Sequence, residues 1–240
     1  SKTVLQKASL KADIAGNEKE YLARNLRLQL DGSTLTGEAG VRELPASRLY
    51  ARLAVDSINV DDYLPPETAA AAGKASAATP AEKAEAILPV DLLRSQNLDV
   101  ALTAGSLVVI DYPIKQLRVA ATARGGLVNV SELRGNIENG SFSVPMSIDV
   151  RGAQPVVSMN PVLKEIDLGP IAKKALKQDV FDGRMNFQGA VKVTGNTTDA
   201  WIRSAQGPNT LRLDNGVIKG INVTDALFNA LGKYQALLPA

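Results

Sequence analysis

Phe142-Ser143-Val144-Pro145-Met146-Ser147-Ile148-Asp149-Val150 decides the fold. Phe142, Val144, Met146, Ile148 and Val150 fall at every second position, while Ser143, Ser147, Asp149 and Arg151 are polar. A period of two marks a β-strand with one apolar face. Just upstream, Asn139-Gly140-Ser141 is a hairpin signal, because tight hairpin turns need positive φ at their central residues. The unit opens on Leu133-Arg134 and closes on Ile166-Asp167-Leu168, where a helical pattern takes over.

The same unit recurs upstream. Leu26-Arg27 leads to Asp31-Gly32-Ser33, an alternating run follows, and Ile58-Asn59-Val60 closes it. The interval from Ser33 to Ile58 equals that from Ser141 to Ile166. A shorter third copy runs through Leu211-Arg212-Leu213, a turn at Asn215-Gly216, and Ile221-Asn222-Val223. Shared turn, closing tripeptide and interval together indicate a repeated β-unit.

Further strands are expected on both sides. Ala8, Leu10, Ala12 and Ile14 alternate with charged residues, and Gly16-Asn17-Glu18-Lys19 turns the chain. Leu98, Val100, Leu102 and Ala104 give way at Gly105-Ser106, read as a turn, to Leu107 and Val109. Asp111-Tyr112-Pro113 and Gly125-Gly126 are further turns, and Met185, Phe187, Gly189, Val191 and Val193 form another strand. Such spacing is that of an antiparallel meander. Short helices are expected after Gly169-Pro170 and over Asp199 to Ala205, capped by Thr197 or Thr198. An amphipathic helix is expected over Asp225 to Leu238.

Three segments result. Residues 1–66 form a first β-unit, the Ala-rich stretch 67–86 a mobile linker, and 87–240 the second and third units, all within one continuous domain. The linker is expected to be replaceable by a short Gly/Ser segment, since closure entropy grows only logarithmically with length.

Composition narrows the chemistry. The chain has 240 residues, 45% of them apolar but only 4% aromatic, with a net charge of +2. It holds neither His nor Cys. This excludes thiol chemistry, imidazole catalysis and His or Cys metal sites. No basic stripe with stacking aromatics suggests nucleic acid. Asp61-Asp62 is the acidic pair at a repeat junction, and a capping or turn role suits it better than catalysis. A carboxylate-only glycosidase would want an aromatic-lined cleft, which four Phe and one Trp do not favour. No catalytic residue, cofactor or metal is assigned. The start carries no signal peptide, and no run reaches the length of a membrane span. Opening in mid-strand and closing on a helix suits a piece of a longer, anchored protein.

The expected fold is mainly β, a long antiparallel twisted sheet curled into a groove, with short helices at repeat junctions. Those helices are too few to cover its apolar face, which must meet another sheet, itself or a ligand. The expected lining is Leu26, Leu28, Leu30, Leu35, Leu49, Leu53, Val55, Leu98, Val100, Leu102, Leu107, Val109, Leu117, Val119, Phe142, Val144, Met146, Ile148, Phe187 and Val191. A smooth aliphatic surface suits an acyl chain, which gains about 0.8 kcal/mol per buried CH₂. Leu227, Phe228, Leu231 and Tyr234 on the last helix would form a lid.

Leu88-Pro89-Val90-Asp91-Leu92-Leu93, Asn97-Leu98-Asp99-Val100 and Gly216-Val217-Ile218-Lys219-Gly220-Ile221-Asn222 resemble the C-terminal region of the AsmA family. So do Ile58-Asn59-Val60-Asp61-Asp62-Tyr63-Leu64-Pro65 and Ile166-Asp167-Leu168-Gly169-Pro170. The resemblance implies a rolled β-groove related to bridge-like lipid transfer proteins. It implies a non-enzymatic envelope protein in the periplasm, held to the bacterial inner membrane by an N-terminal anchor absent from this chain. Its implied cargo is phospholipid, moved toward the outer membrane. The alternative is a structural module that supports outer-membrane protein assembly through contacts with envelope proteins.

Overall fold

The computed structural model describes residues 7–63, 86–109, 111–176 and 181–218. They form one long 14-stranded sheet that does not close. Its strands are β1 Ala8–Gly16, β2 Tyr21–Leu30, β3 Ser33–Arg42, β4 Arg48–Asn59, β5 Asn97–Val109, β6 Tyr112–Arg124 and β7 Leu127–Ile137. The remainder are β8 Gly140–Ser143, β9 Met146–Asp149, β10 Val156–Met159, β11 Val162–Asp167, β12 Phe181–Gly189, β13 Val191–Thr194 and β14 Asn209–Ile218. The path runs β1-β2-β3-β4-β5-β6-β7-β8-β11-β12-β14. The mainly β expectation holds, with one correction: β4 and β5 pair in parallel, so the sheet is mixed. A parallel pair needs a connection that returns the chain to the starting end of the strand. The chain from Val60 to Gln96 makes that return.

Turn signals differ in how they are used. Leu30 pairs with Ser33 around Asp31-Gly32, as expected. Arg124 pairs with Leu127 around Gly125-Gly126, whose φ values are 54° and 85°. In the organising unit the turn slips by one residue: Ile137 pairs with Gly140, so Glu138 (φ 43°) and Asn139 (φ 62°) form the loop. Gly140 already lies in the strand, where a Cβ would sit 2.5 Å from the Lys164 carbonyl oxygen of β11.

Two expected turns are not turns. At Gly105-Ser106, β5 runs straight on to Val109. Gly105 gives the parallel neighbour room, since a Cβ there would lie 2.5 Å from the Asp56 carbonyl oxygen. At Asn215-Gly216, β14 also continues, absorbing Asn215's positive φ of 53° beside the register shift at Asp182 and Arg184.

The run from Phe142 to Val150 is one line of chain but two strands. Pro145 has no N–H to give, so β8 ends at Ser143 and β9 starts at Met146. Both still pair with β7. The break propagates across the sheet. The Val144 amide donates to the Leu133 carbonyl at 2.8 Å, and the Asn160 amide to the Pro145 carbonyl at 3.0 Å. The Gly189 amide donates to the Pro161 carbonyl at 3.1 Å, and the Ala190 amide to the Pro208 carbonyl at 3.0 Å. This seam separates β9, β10 and β13 from β8, β11, β12 and β14.

Helices hold the ends of the strands. Leu168–Leu176 packs on β12 and sends Lys174 Nζ to the Asp111 carbonyl, 2.5 Å away and over the Tyr112 ring. At the other end Val90–Ser95 runs beneath the loop after β9, where Arg94 donates to the carbonyls of Val150 and Gly152. Asn196 clamps Leu88 by accepting from its amide and donating to its carbonyl, at 2.7 and 2.9 Å. Thr198–Ser204 is capped by Thr197, not Thr198: the Ala200 amide donates to Thr197 Oγ1 at 3.1 Å. The expected Asp225 to Leu238 helix lies outside the described residues. So do all but the last residue of the 67–86 linker.

Candidate functional site

Residues directly opposite one another in a sheet share a face, so register alone assembles the apolar surface. One row crosses the first strands as Leu10, Leu28, Leu35, Val55, Ala104 and Leu117. It resumes beyond Gly135 as Phe142, Leu163, Phe187 and Leu211. A second row joins Leu26, Gly37, Leu53, Leu102, Val119 and Leu133. A third runs Ala39, Ala51, Val100, Ala121, Val130, Met146, Met159 and Val191. A fourth runs Val41, Leu49, Leu98, Ala123, Val128, Ile148, Val157 and Val193.

Bulges keep these rows on one side. Asn25, at φ 49°, is extra between Ala23 and Leu26, and Ser131 is extra between Val130 and Leu133. Without the extra residue, one half of each strand would turn its apolar set to the other face.

Sixteen of the expected lining residues fall directly on these rows. Leu30 shares Leu28's face by alternation. Leu107 packs on the buried cluster of Val55, Ala104 and Leu117, and Val109 lies two positions further along β5. Val144 sits in the seam, half-buried, with its amide on Leu133. The lid residues Leu227, Phe228, Leu231 and Tyr234 lie outside the described residues. Among the row residues outside the expected lining, Leu133, Leu163 and Met159 each stand beside a break or bulge that shifts the alternation, whereas Val41, Val128, Val157 and Val193 lie in regular strand.

The face is partly filled. Val55, Ala104 and Leu117 form a buried cluster within the sheet, and Ala123, Val128, Val157 and Val193 are buried toward the end where the short helices contact β6, β7 and β13. Leu53, Leu98, Leu102, Val119, Phe142, Ile148 and Phe187 are half-buried. At the margins Leu10 is 68% exposed, Leu49 47% and Leu211 64%. Among the described residues the helices lie at strand ends, and no second sheet covers the rows.

The opposite face is polar. Near β3 and β4 the Arg42 guanidinium lies 3.4 Å from the Tyr50 ring centre, with Arg52 on the ring at 4.6 Å. The Tyr50 hydroxyl donates to Glu38 Oε1 at 2.6 Å, and this hydrogen bond raises the phenol's pKa. Arg52 continues the network to Asp99 Oδ1 at 2.6 Å. Asp61, at the repeat junction, lies in a 3₁₀ turn capped by Asn59 and accepts from the Asp111 amide at 2.8 Å. No described helix is long and apolar enough to cross a membrane.

The AsmA family profile matches residues 1–237 of the chain. "Protein AsmA" of Escherichia coli (strain K12) is 21% identical over 235 residues. That match covers 93% of this chain and 38% of the relative. No solved structure matches.

Proposed function

The chain belongs to the AsmA family, and from that premise we propose that it is a segment of a cell-envelope biogenesis protein that holds phospholipid acyl chains on its apolar sheet face. It works without catalytic chemistry, in the periplasm, within a protein attached to the inner membrane. Lipid moves along the face toward the outer membrane.

One observation carries this reading: apolar rows cross the strands of an open sheet, the longest interrupted only at Gly135, with no second sheet over them among the described residues. Strands stand about 4.8 Å apart, so a row crossing eleven of them extends for roughly 50 Å. A one-layer surface of that length loses free energy in water and gains about 25 cal/mol per Å² wherever a chain covers it. Apart from Phe142, Phe187 and two Met, the row side chains are aliphatic and offer no hydrogen-bonding groups, which suits a ligand that must slide.

The test uses Leu53 and Leu102, which face each other in the second row and are half-buried. After delipidation and re-exposure to phospholipid extract, native mass spectrometry should show bound lipid on the unaltered protein. Leu53→Glu with Leu102→Glu should lose it while keeping a β-rich circular dichroism spectrum. Undiminished lipid on the folded double variant overturns the proposal.

A second reading is supported by β1. Its outer edge has no strand partner among the described residues, and it exposes Leu10 and Ile14 (82%). Such an edge can accept a strand from another envelope protein by β-augmentation. That interaction would survive the Leu53 and Leu102 substitutions.

A further inference from the structure

The polar face holds a basic depression that the acyl-chain reading does not use. By register Thr103, Arg118, Arg134 and Ser143 form one row, and Asn136, Ser141 and Lys164 form the next. Together they line an open hollow of about 720 Å³. Arg118 and Arg134 are directly opposite across β6 and β7. Like charges so placed repel and cost stability. Arg134 is held by Glu132 at 2.5 Å, yet among the described residues Arg118 and Lys164 make no ion pair. Glu132 is not among the lining residues, and neither is any other carboxylate. An adjoining hollow shares Asn136, Ser141 and Lys164 and does include Glu138 and Glu165, so the positive character is local to the first.

The local backbone presents these groups. Gln116 has φ 52° and stands at the register shift between Lys115 and Arg118. Its Oε1 accepts from Asn136 Nδ2 at 2.9 Å, fixing the floor between the charges. Two guanidiniums, one ammonium and the hydroxyls of Thr103, Ser141 and Ser143 therefore line one open hollow with room for a tetrahedral oxyanion. Guanidinium forks match phosphate oxygens two at a time. An anion there would also relieve the repulsion between Arg118 and Arg134.

We propose that this hollow binds a phosphate group, carried either by a free phosphate compound or by the headgroup of an anionic lipid. The charged rows alternate with the apolar ones along their strands and so belong to the other face, while the Ala104, Leu117 and Phe142 positions of the first apolar row also border the hollow.

The test titrates the protein with inorganic phosphate at low ionic strength by calorimetry. In parallel, the protein is sedimented with vesicles of phosphatidylcholine alone or of phosphatidylcholine mixed with phosphatidylglycerol. Arg118→Gln and Lys164→Gln should each weaken binding at least about tenfold, the scale of a lost charge-assisted hydrogen bond. Lys192→Gln, which removes an exposed charge from β13 outside the hollow, should leave binding unchanged. Phosphate should also raise the melting temperature of the unaltered protein and not that of the Arg118→Gln, Lys164→Gln double variant. Binding of inorganic phosphate identifies a free phosphate compound as sufficient. Binding only to vesicles containing phosphatidylglycerol, lost in the same variants, identifies the headgroup as the source. Absence of both, or equal weakening by Lys192→Gln, overturns the proposal.

Discussion

At the scale of single residues, the polar face is where charge is organised. Asp149 closes the loop after β9 by accepting from the Arg151 amide at 3.0 Å and from its guanidinium at 2.9 and 2.6 Å. The side-chain hydrogen bond to Arg151 is the largest cause that lowers the Asp149 pKa, to about 2. A carboxyl depressed in the folded state stabilises it above the unfolded pKa, and that contribution fades as pH falls through the folded value. Its window is therefore between about pH 4 and pH 2. Carboxyl NMR should find Asp149 titrating near 2, and Arg151→Ala should move it up toward the ordinary range. A titration unmoved in Arg151→Ala would remove the guanidinium from the explanation. Tyr50 offers a second check. Tyr50→Phe keeps the ring under Arg42 and removes the hydroxyl from Glu38, so it should cost about 1 kcal/mol in denaturant unfolding. Tyr50→Ala also removes the stack and should cost more. Tyr50's partners Glu38 and Arg42 come from β3, through strand pairing that no local pattern of sequence records.

At the scale of elements, the strands were legible where alternation was uninterrupted and misread where a glycine or proline had a job other than turning. Gly105 and Gly140 are present for close backbone approach, which sequence cannot distinguish from a turn. Gly140→Ala tests this. Its Cβ would meet Lys164 and Glu165 backbone atoms at 2.5 and 2.6 Å, so β8 and β11 must part. Overpacking of this kind costs about 1–3 kcal/mol, and the loss should appear as a lower unfolding midpoint with faster amide exchange in β8 and β11. An unchanged midpoint would mean that the strands separate freely. The seam shows the same lesson for proline. Pro145, Pro161 and Pro208 are spread along the chain but fall on one line across the sheet, each accepting through its carbonyl the donor of a neighbouring strand. Only the pairing order reveals that they belong together. The candidate face was more legible than the elements that carry it, because bulges at Asn25 and Ser131 restore phase and keep inward residues inward.

At the scale of the whole molecule, an open sheet with an uncovered apolar face follows from what the sequence has in abundance and what it lacks: many alternating runs and few helical ones. An open sheet of this many strands must also curl, since right-handed twist accumulates from strand to strand. The parallel step between β4 and β5 was not legible, because no residue pattern states the direction of the next strand. It has a consequence for the Ala-rich stretch. Tyr63 follows the far end of β4, while Asn97 begins β5 at the near end, and Ile87 and Leu88 are held there by Asn196. The connection must span at least the length of β4, 12 residues or about 40 Å at roughly 3.3 Å each. Replacing residues 67–86 by twenty Gly/Ser residues should leave the melting temperature within a few degrees, because composition is free where reach is kept. A short Gly/Ser segment, expected from the sequence to suffice, does not meet this requirement of the parallel pairing: replacement by four residues leaves about seven between Tyr63 and Ile87, a reach of under about 30 Å when fully extended. That variant must release Leu88 from Asn196 or unpair β5 from β4. It should melt at a clearly lower temperature and lose amide protection first in β5 and at Asn196. If the four-residue version were as stable as the twenty-residue one, the parallel pairing of β4 with β5 would be refuted.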